Sequence, residues 1–347
     1  MPVRESERFA AASAVPRWIV VVALVAILAG VACRFSDATH KVYYQDEAVT
    51  SVRAAGYELD DIGRLFDGHP HRYGDVARFV VPDPERSIAA TVTSLVHEDP
   101  QHPPVFYMME AAWSHIAGAG SLAMRSLAIA LSLLALPLVF ALARELFGSR
   151  ATAWIATALF AVSPFFVLYA YQAREYGLFA TTVALASVLF LRARRLGGLG
   201  RWAAYGAAVA LGCYTYLFFA FALIAHGIVA VADLRDRPRA FGAFLISALA
   251  GVAAFLPWLR VFVDHRATAA ADVDWATSAY PLGYIAAKWA FSPPPRSSIW
   301  NIWTVVSPSS RLRCSCSRPS RWSNSSAVGR PGRRSSSSRS GPRRSWR

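Results

Sequence analysis

The chain has 347 residues, 55% of them hydrophobic and only 17% charged, and its apolar residues fall in blocks rather than at the spacing of a half-buried surface helix. That excludes an ordinary soluble domain and points to an all-α polytopic membrane protein. The formal net charge is +14, yet residues 307–347 hold eleven Arg and no acidic residue, leaving only +3 on the 306 residues before them, so the body is not a nucleic-acid-binding surface.

A helix needs about 20 residues to cross the hydrocarbon core. Arg4, Arg8 and Arg17 precede the first apolar run, Trp18 to Phe35, and no small-x-small cleavage site follows it. Residues 1–17 are therefore expected in the cytoplasm and the run as an uncleaved anchor. Residues 36–102 are polar, acidic in places and rich in His and Pro, and read as one sizeable outer loop. Further spans are expected at Pro103 to Ala119, Leu122 to Phe147, Ala151 to Tyr171, Tyr176 to Leu191 and Phe241 to Val263. Trp202 to Ala232 is too long for one crossing, and Tyr214, Thr215 and Tyr216 near its middle divide it into two short helices.

Arg192, Arg194, Arg195 and Arg201 form one basic loop and Arg235, Arg237 and Arg239 another. Both favour the cytoplasm, which strict alternation of these spans does not deliver without one crossing more or fewer. The membrane module is thus expected over 18–306. Residues 307–347, with fifteen Ser and eleven Arg, cannot fold on their own. They use the vocabulary of a GC-rich gene read out of frame; a disordered basic tail is the other reading. Cys33, Cys213, Cys314 and Cys316 have neither metal-ligand nor disulfide spacing.

Three polar groups sit where apolar runs end. Tyr43-Tyr44-Gln45-Asp46-Glu47 lies about ten residues beyond the first span. Adjacent carboxylates divide the work of a group transfer, one taking the proton of an attacking hydroxyl and the other orienting it or holding Mg²⁺ or Mn²⁺; equally, the pair simply opens a surface helix. His97-Glu98-Asp99-Pro100-Gln101-His102-Pro103-Pro104 precedes the second apolar run. Its prolines fix where a helix starts and hold His102 at the interface, within reach of a phosphate or a sugar hydroxyl. Tyr169-Ala170-Tyr171-Gln172-Ala173-Arg174-Glu175-Tyr176 joins two spans. Its guanidinium suits a phosphate gripped by two parallel hydrogen bonds; equally, its tyrosines form an aromatic belt and Arg174 pairs with Glu175 or a lipid headgroup. Arg125, inside an apolar run, either snorkels or pairs with a loop acid. No glycine-rich phosphate loop and no dinucleotide-binding pattern occurs, which favours a donor embedded in the bilayer over a sugar nucleotide.

In this order the groups resemble the GT-C superfamily of membrane glycosyltransferases, nearest to family-39-like bacterial enzymes related to protein O-mannosyltransferases and the aminoarabinose transferase of lipid A. The resemblance rests on Asp46-Glu47, on Asp99-Pro100-Gln101-His102-Pro103-Pro104 with Tyr107, on Arg174-Glu175-Tyr176 and on Leu146-Phe147-Gly148, and it covers roughly residues 18–290. It implies inverting transfer from a polyprenyl-phosphate sugar to a lipid, glycan or protein acceptor at the outer face of the plasma membrane. Asp46 is then the base or a metal-proximal carboxylate with Glu47 in support, and His102, Arg174, Tyr176 and Asp99 are the expected substrate-binding residues. The family continues for several more spans where this chain turns to Ser and Arg. A transporter of lipid-linked sugars and a non-catalytic scaffold are the other readings of the same charges.

Overall fold

The computed structural model describes residues 15–36, 38–39, 41–272, 282–284 and 286. The expectations for residues 1–14 and for the tail 307–347 fall outside the described residues.

Among the described residues every regular element is helical. The chain opens with α1 (Arg17–Ser36) and then folds a packed cap from α2 (Gln45–Ala54), α3 (Leu59–Gly63), α4 (Tyr73–Ala77), a 3₁₀ turn (Arg78–Val80) and α5 (Ile88–Glu98). The bundle continues with α6 (Val105–Ala117), α7 (Ser121–Leu133), α8 (Ala135–Phe147), α9 (Arg150–Val162), α10 (Pro164–Ala170), α11 (Tyr176–Leu196), α12 (Leu199–Thr215), α13 (Phe219–Ala232), α14 (Pro238–Asp264) and α15 (Arg266–Asp272). Among the described residues four runs are long and apolar enough to cross a membrane: α1, the continuous Ser121–Phe147, α11 and α14. A fifth crossing is formed if α9 and α10 count as one span, bent by 57°. The bend has a local cause, because Pro164 at the start of α10 has no N–H to continue the ladder.

The expected second span is corrected. The run 103–119 forms α6, only 13 residues, or about 20 Å, short of the roughly 30 Å hydrocarbon core. Glu110 lies buried within it with neither carboxyl oxygen hydrogen-bonded, and the helix packs against α2, α5 and α7. The long apolar run from Trp202 to Ala232 does divide in two, with the break at Tyr216–Phe218 between α12 and α13.

With α6 removed from the count, the basic loops no longer conflict. Arg194 pairs with Asp233, and Arg237 donates to the Arg194 carbonyl at 3.4 Å, so the segments after α11 and before α14 lie at one end of the bundle. Arg192 and Arg195 both reach Glu145 at the end of α8, which puts that terminus there too. Arg125 near the start of α7 instead contacts the chain just after α1, at the opposite end.

Small residues allow the helices to come close. A Cβ on Gly30 of α1 would lie 2.2 Å from the Ala161 carbonyl of α9, and one on Gly251 of α14 would lie 2.6 Å from the Gly206 carbonyl of α12. One aromatic core gathers Phe190, Trp202, Tyr205 and Phe244. A second, with Leu95, Phe106, Leu178 and Trp258, fastens the cap to the spans, and the Trp258 indole N–H donates to the Pro100 carbonyl at 3.2 Å.

Candidate active site

The paired carboxylates begin α2, where the expected helix forms, but it is not a surface helix: Glu47, Thr50, Ser51, Val52, Arg53 and Ala54 are all buried. Glu47 turns inward. Its Oε1 accepts from Arg125 Nε at 2.8 Å and from the Ala173 N–H at 3.0 Å. Its Oε2 accepts from Arg125 Nη2 at 2.7 Å and from the Tyr44 N–H at 3.0 Å. Arg125 spends its remaining donors on the carbonyls of Ala38, Lys41 and Val42 at 2.7, 3.2 and 3.1 Å. Burial alone would push the Glu47 carboxyl up, but the Arg125 and backbone hydrogen bonds outweigh it and hold the group below the ordinary carboxylate range. Arg125 thus meets a loop acid, one of the two alternatives its position in an apolar run allowed.

Asp46 faces differently. It is half-buried, and among the described residues its carboxylate enters no hydrogen bond or ion pair, although its charge is felt at Arg174. The oxygens of one carboxylate are therefore filled, and those of its neighbour are open.

Arg174 and Glu175 stand in the short link before α11. The Arg174 guanidinium is 3.4 Å from Thr50 Oγ1, 3.4 Å from His102 Nε2 and 3.4 to 3.5 Å from the Glu175 carboxylate. All four are at or beyond the long edge of ordinary hydrogen bonds, and Arg174 Nε is buried without one. Burial works against the Arg174 charge, but Tyr107, Glu175, Tyr176 and Asp46 around it outweigh burial and keep it firmly protonated. Glu175 is fully buried; desolvation opposes its charge, yet Arg174 and His102 bring its carboxyl down to about 2. His102 Nδ1 lies 3.2 Å from Glu175 Oε1.

The structure thus brings Asp46, His102, Arg174 and Tyr176 to one place. Asp99 is turned to another partner: Arg53, fully buried, holds it at 2.7 Å through Nε and also pairs with Glu98. Arg53 was not singled out by sequence reasoning, and Glu175 entered it only as a partner for Arg174, a pairing that forms. A buried arginine on a short polar helix is signalled only by its partners, and those are 45 and 46 residues away. Among the described residues no three His, Cys, Asp or Glu side chains gather as a metal site.

Next to Arg174 a groove opens among α8, α9, α10, α11 and α13, a cavity of about 910 Å³. Its walls are almost wholly apolar, with Phe160, Phe166 and Phe179 among them, and Tyr169, Tyr176 and Tyr216 also line it. The Tyr176 ring is 5.0 Å from that of Tyr169 and 6.2 Å from that of Tyr216.

Residues 101–260 match the family model described as dolichyl-phosphate-mannose-protein mannosyltransferase. No curated protein and no solved structure matches the chain. The matched stretch takes in His102, Arg125 and the Arg174–Tyr176 step and begins after Asp46, Glu47 and Asp99. Together with the helical membrane architecture, it places this region among the membrane glycosyltransferases of GT-C type.

Proposed function

We propose that the protein transfers a sugar from a polyprenyl-phosphate donor to an acceptor hydroxyl at the outer face of the membrane, with Asp46 as the general base. The observation that carries this reading is the open Asp46 carboxylate beside an Arg174 guanidinium whose hydrogen bonds are long and incomplete. A base needs a free lone pair aimed at a proton, and a phosphate-binding arginine needs donors to spare.

In this reading the acceptor oxygen attacks the anomeric carbon, its proton passes to Asp46, and the bond from that carbon to the phosphate oxygen breaks on the opposite side. Configuration inverts, and polyprenyl phosphate leaves. Arg174 receives the charge that accumulates on the departing phosphate in a site shielded from water, where such a contact is worth most. His102, held by Glu175, is placed to hydrogen-bond the phosphate or a sugar hydroxyl. The aromatic groove beside Tyr176 accommodates the first isoprene units, whose apolar surface matches its walls. Of the adjacent carboxylates only Asp46 has oxygens open to a divalent cation, and Mg²⁺ held by a single carboxylate takes further oxygens from substrate phosphate and water.

The outer-face assignment rests on charge. The end of the bundle opposite Asp46 carries Arg192, Arg194, Arg195, Arg201, Arg235, Arg237 and Arg239, and arginine-rich loops favour the cytoplasm. The test is transfer of radiolabelled sugar from polyprenyl-phosphate donors by the purified chain in liposomes. Transfer lost in Asp46→Asn, with the thermal midpoint kept, supports the reading; undiminished transfer in that variant sinks it.

A further inference from the structure

A second large cavity lies at the other end of the bundle. α11 runs 21 residues from Tyr176, beside Arg174, to Leu196, about 30 Å, so its ends stand roughly one hydrocarbon thickness apart. At the Leu196 end a cavity of about 960 Å³ opens between the C-terminus of α11 and the N-termini of α12 and α14.

Four arginines edge it, Arg194, Arg195, Arg237 and Arg239, against one acid, Asp236. Arg194 and Arg195 are already paired, with Asp233 and Glu145. Arg237 and Arg239 are exposed and have no ion-pair partner among the described residues; Arg237 donates to the Arg194 carbonyl, and its charge is felt at Asp233. Two helix N-termini add to that positive rim. α12 starts after Gly198 and α14 after Arg237, and neither has a side-chain cap or an acidic residue in its first turn. Their unpaired N–H groups and positive dipole ends face the same opening. The inner wall is apolar, with Trp202, Ala243 and Ile246.

A free phosphate would engage the rim and leave the wall unused, and a soluble polyanion has no apolar part to place there. A molecule with a phosphate head and an acyl chain uses both. We propose that this cavity binds an anionic phospholipid from the leaflet opposite the transfer site. Its phosphate sits between Arg237, Arg239 and the start of α14, and its chain lies along Trp202, Ala243 and Ile246.

The test uses the full chain in a neutral detergent, with bound lipid counted by native mass spectrometry during titration with phosphatidylglycerol, with phosphatidylcholine of the same chains, and with inorganic phosphate as competitor. Phosphatidylglycerol is expected to be retained at concentrations where phosphatidylcholine is not. Arg237→Gln with Arg239→Gln is expected to weaken its tightest binding by about tenfold or more. The thermal midpoint without lipid should hold, since both side chains are exposed and neither enters an ion pair among the described residues. Arg144→Gln with Arg150→Gln removes equal charge from the same end outside the cavity and should leave binding intact; the arginines of 307–347 are common to all these chains and cancel. Unchanged binding in the first variant, or equal weakening in the second, overturns the site. Equal retention of phosphatidylcholine overturns headgroup recognition, and displacement by millimolar phosphate makes a free anion the ligand.

Discussion

Two arginines at one end of this molecule are both buried beside a glutamate, and they differ in how fully their donors are used. Arg125 spends its guanidinium on Glu47 and three backbone carbonyls at 2.7 to 3.2 Å. Arg174 has contacts of 3.4 to 3.5 Å, and its buried Nε makes no hydrogen bond. A saturated buried ion pair is a structural joint, since removing either partner strands a charge in the interior. An unsaturated one keeps binding capacity in reserve, and natural proteins rarely leave such groups unpaired without a use. The same contrast divides the neighbouring carboxylates, with Glu47 consumed and Asp46 open.

The largest effect is expected from Asp46→Asn, which removes the base: kcat should fall about 10²- to 10⁴-fold, while the thermal midpoint in detergent stays within a degree or two of the parent, as befits a half-buried side chain that enters no hydrogen bond or ion pair among the described residues. Arg174→Gln should lower kcat about 10²- to 10³-fold. If Arg174 acts on the departing phosphate, the loss appears in kcat more than in KM, and a KM effect alone would make it a simple binding residue.

Glu47→Gln should do the reverse. It leaves Arg125 buried and uncompensated, a cost of about 3 to 5 kcal/mol, so the thermal midpoint drops sharply and activity falls with the folded fraction. A Glu47→Gln chain of unchanged stability and abolished transfer would reverse the roles assigned to the pair.

The smallest effect concerns pH. Glu175 titrates near 2 in the folded chain, against about 4.3 for an unfolded glutamate. A depressed folded value means the stabilisation is fully present above the unfolded pKa and is lost as pH falls from about 4.3 toward 2. Glu47 and Glu98 are depressed as well, so unfolding midpoints measured from pH 6 down to 2.5 should decline below about 4.5. Glu175→Gln should make that decline shallower. A decline as steep as the parent's would mean Glu175 is not held ionised by Arg174 and His102.

The apolar blocks determined much of this protein without help from its tertiary structure. Runs such as Trp18 to Phe35 and Tyr176 to Leu191 have nowhere to go but into lipid or each other, so the all-helical membrane class and most helix positions follow from composition and length. The motif order around Asp46, His102 and Arg174 likewise marked segments that the fold brings together, because polar residues at the ends of apolar runs are costly to keep there. Packing decided the rest. Whether 103–119 crosses depended on the burial of Glu110 and on contacts with α2, some fifty residues earlier in the chain, as well as with the adjoining α5 and α7. Which of two adjacent carboxylates turns inward was set by Arg125, which is 78 residues from Glu47. Asp99 was claimed by Arg53 from the far side of the cap. Hydrogen-bond saturation is a property of side chains meeting in space, and sequence spacing carries no record of it.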